Sequence, residues 1–243
     1  MPATSPINRA PLKLQERPPA PIEWKKTEAP KKATPVLKLV PKASKKALLI
    51  AIPTQKYIEA ECFKSIYDLI IPEHITPTFQ YFYGYNVEQV RNLIASWGMR
   101  GDYTLCVDYD IVLPNDALIK MLAHDKDIVS GVYVQRNTKQ LVELFQKDSP
   151  KTRVPVSDLT PPKLLEVASC GFGCVLIKGN VLRTMEYPHF AYKSAVDPKD
   201  HDKDTMSEDS FFCYKAKSYG FKVWADTSII CPHIGSQTFV PIL

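Results

Sequence analysis

Tyr103-Thr104-Leu105-Cys106-Val107-Asp108-Tyr109-Asp110 is a short apolar run that stops on two aspartates one residue apart, before Ile111-Val112-Leu113 resumes. A run of this length and composition, bounded by polar residues, reads as a buried strand. Upstream, Lys46-Ala47-Leu48-Leu49-Ile50-Ala51-Ile52-Pro53 is a second apolar run closed by a turn signal, and Thr78 to Tyr83 is aromatic and strand-like. Between these runs Phe63, Ile66, Tyr67 and Ile70 recur at helical spacing, as do the apolar residues of 87–97. The order is β-α-β-α-β. Downstream, Pro114 opens a helix to about Leu122, and strands are expected at 128–134, 142–146, 164–168 and 173–178. A short helix from Asn180, a helix over 208–219 and two short strands at 223–225 and 229–231 complete the series. Alternation of this kind predicts an α/β fold, a mostly parallel sheet with helices on both faces.

Charge divides the chain. Residues 1–46 hold 11 Lys/Arg against three Glu, nine of the 21 prolines and no glycine. Such a segment has too little apolar surface to offset the cost of ordering, so residues 1–45 are expected to be a disordered basic arm preceding one domain over 46–243. The remainder carries slightly more acid than base, so a claim of nucleic-acid binding rests on the arm, where each phosphate contact would add salt-sensitive affinity. Hydrophobic residues make up 45% of the chain and charged residues 23%, which excludes a wholly disordered, collagenous or coiled-coil protein. There is no long apolar stretch for a membrane span, and the first residues lack the apolar segment of a secretory signal; a cytoplasmic location is expected. Cys62, Cys106, Cys170, Cys174, Cys213 and Cys231 form no C-x-x-C pair and read as buried free thiols.

Context singles out one acidic pair. Three other D-x-D triplets begin at Asp125, Asp200 and Asp202, but only Asp108-Tyr109-Asp110 follows a buried strand, where open α/β sheets place their ligands. Two carboxylates there suit a hard divalent cation that takes further oxygens from a diphosphate, ahead of the plainer reading as a helix cap and turn. Glu208-Asp209 opens a helix, a place that dipole complementarity alone would favour for acids and that also suits a general base. The charge-rich stretch 197–204 reads as a solvated loop or an active-site lid.

Taken in order, Ile52-Pro53-Thr54, Arg91-Asn92, Asp108-Tyr109-Asp110, Gly171-Phe172-Gly173-Cys174, Ser207-Glu208-Asp209-Ser210-Phe211-Phe212 and Pro232-His233-Ile234-Gly235 resemble the GT-A (Rossmann-like) glycosyltransferases, in particular small bacteriophage-encoded inverting-type members. The resemblance covers about residues 46–237 and implies a nucleotide-sugar donor with Mn²⁺ or Mg²⁺ as cofactor. It implies that Pro53, Thr54, Arg91, Asn92, Asp108 and Tyr109 bind the donor, and that Asp110, with His233 and Asp108, holds the metal. It further implies Asp209 as the base, Glu208 beside it, and Gly171, Phe172 and Gly173 against the sugar or acceptor. Val90 departs from the small residue usual before the Arg-Asn pair. An acceptor in phage DNA, a hydroxymethylated base reached through the basic arm, is one expectation; a glycan, lipid or protein acceptor is another. A sugar nucleotidyltransferase would show a glycine-rich loop after the first strand, and Pro53-Thr54-Gln55-Lys56-Tyr57 has no glycine. A noncatalytic nucleic-acid-binding or virion-associated protein on the same fold is the alternative outside enzymes.

Overall fold

The computed structural model describes residues 44–84, 86–136, 139, 141–149, 151–194, 205–235 and 240. The expected basic arm and the charged stretch 197–204 lie outside the described residues, residues 44 and 45 excepted.

The chain opens with β1 (Lys46–Pro53), α1 (Ala60–Tyr67), β2 (Ile75–Phe82), α2 (Val87–Gly98) and β3 (Tyr103–Val107), the expected β-α-β-α-β series. Then follow α3 (Ala117–Ala123), β4 (Ile128–Val132), β5 (Leu144–Gln146), β6 (Leu164–Cys170), β7 (Cys174–Lys178) and α4 (Gly179–Thr184). The series ends with β8 (Lys193–Ser194), β9 (Thr205–Met206), α5 (Glu208–Ser218) and β10 (Val223–Ile230). Eight strands form one sheet in the order β2-β1-β3-β7-β4-β10-β6-β5, and β8 pairs with β9 apart from it.

The sheet is mixed. β1 lies parallel to β2 and β3, and β4 parallel to β10, but β7 runs antiparallel to both β3 and β4, and β6 antiparallel to β10 and β5. Only Gly171-Phe172-Gly173 separates β6 from β7, whereas a parallel crossover needs a dozen residues or more. The chain therefore enters β7 beside the end of β3, where Asp108 N donates to Gly173 O. The two short strands expected at 223–231 are one strand, β10, whose pairing with β4 slips between Ala225 and Ile230.

Alternation along β1 sets the two faces. Leu49 and Ala51 point into a core with Val90, Ile94 and Ala95 of α2, Val181 and Leu182 of α4, and Phe212, Cys213 and Ala216 of α5. Leu48, Ile50 and Ile52 point into a second core with Cys62 and Ile66 of α1 and Leu118 and Met121 of α3. Helices thus cover both faces, because a strand buried on both sides must be apolar at every position. All six cysteines are buried and free: Cys106, Cys170 and Cys213 in the first core, Cys62, Cys174 and Cys231 in the second. No helix among the described residues is long and apolar enough to cross a membrane.

Candidate active site

The strand ends gather the acidic residues. A cleft of about 540 Å³ is lined by Pro53–Tyr57 after β1, by Gly84, Asn86, Val87, Val90 and Arg91 around the start of α2, and by Asp108–Asp110 after β3. Arg136, Glu208, Asp209 and His233 close it. Two caps set the helices that contribute: Asn86 accepts from Gln89 N at 2.8 Å at the start of α2, and Ser207 accepts from Ser210 N at 3.3 Å at the start of α5. A side-chain oxygen at the N-cap satisfies one of the free N–H groups of the first turn. Glu208 and Asp209 consequently sit where the helix dipole favours negative charge.

Arg91 lies beneath the cleft, only 2% exposed. Its Nη2 is 2.7 Å from Asp108 Oδ1 and its Nε is 3.7 Å from Asp209 Oδ1. The guanidinium also stands 5.5 Å from the centre of the Phe172 ring. Burial disfavours its charge, yet Asp108 and Asp209 outweigh that and hold its pKa above the ordinary value. Arg91 Nε and Nη1 and Asp209 Oδ1 are buried without a hydrogen-bond partner. The other Asp209 oxygen, Oδ2, accepts from Phe172 N at 3.1 Å. Burial pushes the Asp209 carboxyl up to about 8; Arg91 opposes the shift, while Glu208 and Asp108 add to it. Glu208 is hydrogen-bonded to Tyr192, whose hydroxyl is raised to about 12 by burial and then by Glu208.

Asp110 and His233 form the opposite side. Main-chain bonds fasten the two segments: Ile234 N donates to Asp110 O at 2.8 Å, Val112 N to Pro232 O at 2.9 Å, and Ile111 bridges to His233. Asp110, 3% exposed, has Oδ2 2.8 Å from Arg136 Nη1 and Oδ1 3.5 Å from His233 Nε2. His233 Nδ1 is 2.8 Å from Val134 O. A carbonyl can only accept, so Nδ1 carries a proton, which leaves Nε2, on the Asp110 side, as the ring nitrogen that could ligate a metal. The pair of one carboxylate and one imidazole suits Mn²⁺ better than Mg²⁺. Among the described residues there is no group of three or more His, Cys, Asp and Glu arranged to hold an ion.

Several expected site residues are placed otherwise. Asn92 does not line the cleft: its Nδ2 donates to Phe190 O at 2.7 Å and to Glu88 O at 3.0 Å, and its Oδ1 accepts from His189 N and Phe190 N. Its amide is saturated by the 189–190 segment and α2, leaving nothing for a nucleotide. Arg91 buttresses carboxylates from below. Asp108, which lines the cleft, is engaged by Arg91 through Oδ1. Phe172 is fully buried between Phe190 and Phe212, 5.1 and 5.0 Å from their ring centres. Gly171 and Gly173 owe their lack of a side chain to Tyr133, since a Cβ on Gly171 would collide with its hydroxyl and one on Gly173 would lie 2.9 Å from its ring. Gly173 N donates to that same hydroxyl at 3.1 Å. Sequence reasoning missed Gln55, Lys56, Tyr57 and Arg136. The available signal for Arg136 was its place just beyond the apolar run 128–134, at the same sheet end as Asp108.

No protein family and no curated protein matches this chain by sequence. Among solved structures it is similar to A197 from STIV, with a TM-score of 0.56 at 19% identity over 80% of this chain and 90% of that one. It is also similar to GalNAc-T7, solved with UDP, GalNAc and Mn²⁺, with a TM-score of 0.52 at 11% identity over 81% of this chain. The match covers 45% of GalNAc-T7, so this chain spans about half of that enzyme's length. The fold is α/β and GT-A-like.

Proposed function

We propose that the protein is a metal-dependent glycosyltransferase that moves a sugar from a nucleotide-sugar donor to a hydroxyl acceptor. The observation that carries this reading is the division of the cleft. A carboxylate with a raised pKa stands at one wall, and a carboxylate–imidazole pair fit for a divalent cation stands at the other. GalNAc-T7, whose fold is similar, was solved with a nucleoside diphosphate, a sugar and Mn²⁺, which supports the same reading.

In this proposal Asp209 is the base. Oδ1 faces Arg91, so Oδ2, oriented by the Phe172 N–H, is the oxygen that accepts the proton of the attacking hydroxyl. A carboxylate in water is too weak a base for an alcohol; burial raises Asp209 toward the range where proton transfer is effective. Arg91 keeps Asp108 and Asp209 from repelling each other, and Glu208 with Tyr192 borders the acceptor side. Pro53, Thr54 and Tyr109 form the wall for the nucleotide, with Thr54 fixed by its hydroxyl donating to Tyr57 O at 2.6 Å. Asp110 and His233 would hold Mn²⁺, which offsets the charge developing on a diphosphate leaving group.

Mass spectrometry with a panel of nucleotide sugars, Mn²⁺ or Mg²⁺, and hydroxymethylated DNA, glycans, lipids and proteins as acceptors tests the reading. Metal-dependent transfer by the wild type, lost in Asp110→Ala, is the expected result. A mass shift on DNA would identify the acceptor. The absence of both turnover and metal-dependent nucleotide binding across the panel would overturn the proposal in favour of a noncatalytic binding protein.

A further inference from the structure

Asp110 carries two competing demands. Its Oδ2 is 2.8 Å from Arg136 Nη1, while the same carboxylate faces His233 as the cation site of the proposed function. A divalent cation on Asp110 and a guanidinium against it repel each other at close range. The two compete for the carboxylate, and burial decides which gives way more easily. Asp110 is held by the Ile234 N–H on its own carbonyl and is almost wholly enclosed. Arg136 is 43% exposed, on the cleft wall, next to Gln135, whose N donates to Leu141 O at 2.9 Å. Its second tether is a hydrogen bond to the Tyr109 side chain.

We propose that Arg136 is a counter-ion exchanged between Asp110 and the donor: it neutralises Asp110 in the donor-free protein and clamps the diphosphate once the cation takes its place. This inference rests on the reading of Asp110 and His233 as the cation site. A planar guanidinium presents paired N–H donors that match two phosphate oxygens, a geometry that an ammonium lacks. The displaced side chain is a long, half-exposed group already on the wall of the cleft that receives the diphosphate. The exchange ties the two ligands together: the anion draws Arg136 off Asp110 and so favours the cation, and the cation by the same coupling favours the anion. Sugar and base contribute nothing to this step, so the recognised chemistry is the diphosphate itself.

The test uses the full chain with Mn²⁺ alone, followed by electron paramagnetic resonance of the free ion, and with inorganic pyrophosphate titrated calorimetrically at fixed Mn²⁺. Arg136→Ala is expected to bind Mn²⁺ alone about five- to tenfold more tightly and pyrophosphate about tenfold more weakly, shifts of the size usual for coupled sites. Arg136→Lys should recover part of the pyrophosphate affinity. Affinities that fall together, or that do not change, overturn the exchange, because a merely structural arginine would not move them in opposite directions. Asp110→Asn separates the two readings. If it loses Mn²⁺ while Arg136→Ala has no effect, the exchange alone fails; if it binds Mn²⁺ as the wild type does, the cation site fails as well.

Discussion

Arg91 Nη2 is 2.7 Å from Asp108 Oδ1, joining the middle of α2 to the end of β3 from beneath the cleft. The same side chain reaches toward Asp209 at 3.7 Å, so one buried cation serves two carboxylates from different elements. Removing it takes the counter-ion from both carboxylates, of which Asp209 is the more enclosed.

Arg91→Met should therefore lower stability by about 3–5 kcal/mol, the usual cost of breaking a buried pair from one side. Adding Asp209→Asn should restore part of the loss. Urea unfolding of both variants measures this, and a loss under about 1 kcal/mol in the single variant would contradict the buried bridge.

Asp209 gives the protein a pH signature. Its folded pKa of about 8 lies far above the ordinary aspartate value of 3.8, so between those limits the folded state binds the extra proton. Stability from this group is complete below about pH 4 and is lost as pH rises toward 8. Asp209→Asn should flatten that slope in thermal unfolding scans. Under the proposed function, transfer should rise with pH over the same upper limb and vanish in the variant, as pH–rate profiles would record.

Gly171 and Tyr133 are expected to be coupled. Gly171→Ala drives a methyl into the Tyr133 hydroxyl and should cost about 1–3 kcal/mol through overpacking. Tyr133→Phe removes that oxygen, so the double variant should be more stable than the sum of the single losses. Strict additivity in the double-mutant cycle would argue against the contact.

Asn92 should behave as a structural residue. Asn92→Ala strips partners from His189 N, Phe190 N and Phe190 O and should cost at least ~2 kcal/mol, since buried unpaired backbone groups are expensive. Nucleotide affinity of the folded fraction, measured by calorimetry, should change less than twofold. A large loss of affinity at unchanged stability would return Asn92 to the nucleotide.

The order of elements was legible because burial writes itself into composition: β1 is apolar at consecutive positions and sits between two cores. Asp108, Asp110, Glu208 and Asp209 were legible because they stand where a strand ends or a helix begins. Arg91 and Asn92 were named, but their burial was not legible, because a helical periodicity of apolar residues does not say which polar neighbours turn inward with them. The two glycines around Phe172 could be read only as freedom of the backbone; that Tyr133 fills the space they leave depends on a residue nearly 40 positions away. Antiparallel β7 escaped because its cause, the three-residue link after β6, is a matter of boundaries accurate to a residue or two.

The six buried thiols make the protein its own clock. Burial pushes Cys62 and Cys106 up to about 12, so the nucleophilic thiolate is scarce as well as enclosed. An alkylating reagent can then mark each cysteine only when the layer above it opens. With three reporters on each side of the sheet, mass spectrometry of the marked peptides would time the parting of α2, α4 and α5 separately from that of α1 and α3, without introducing a single label.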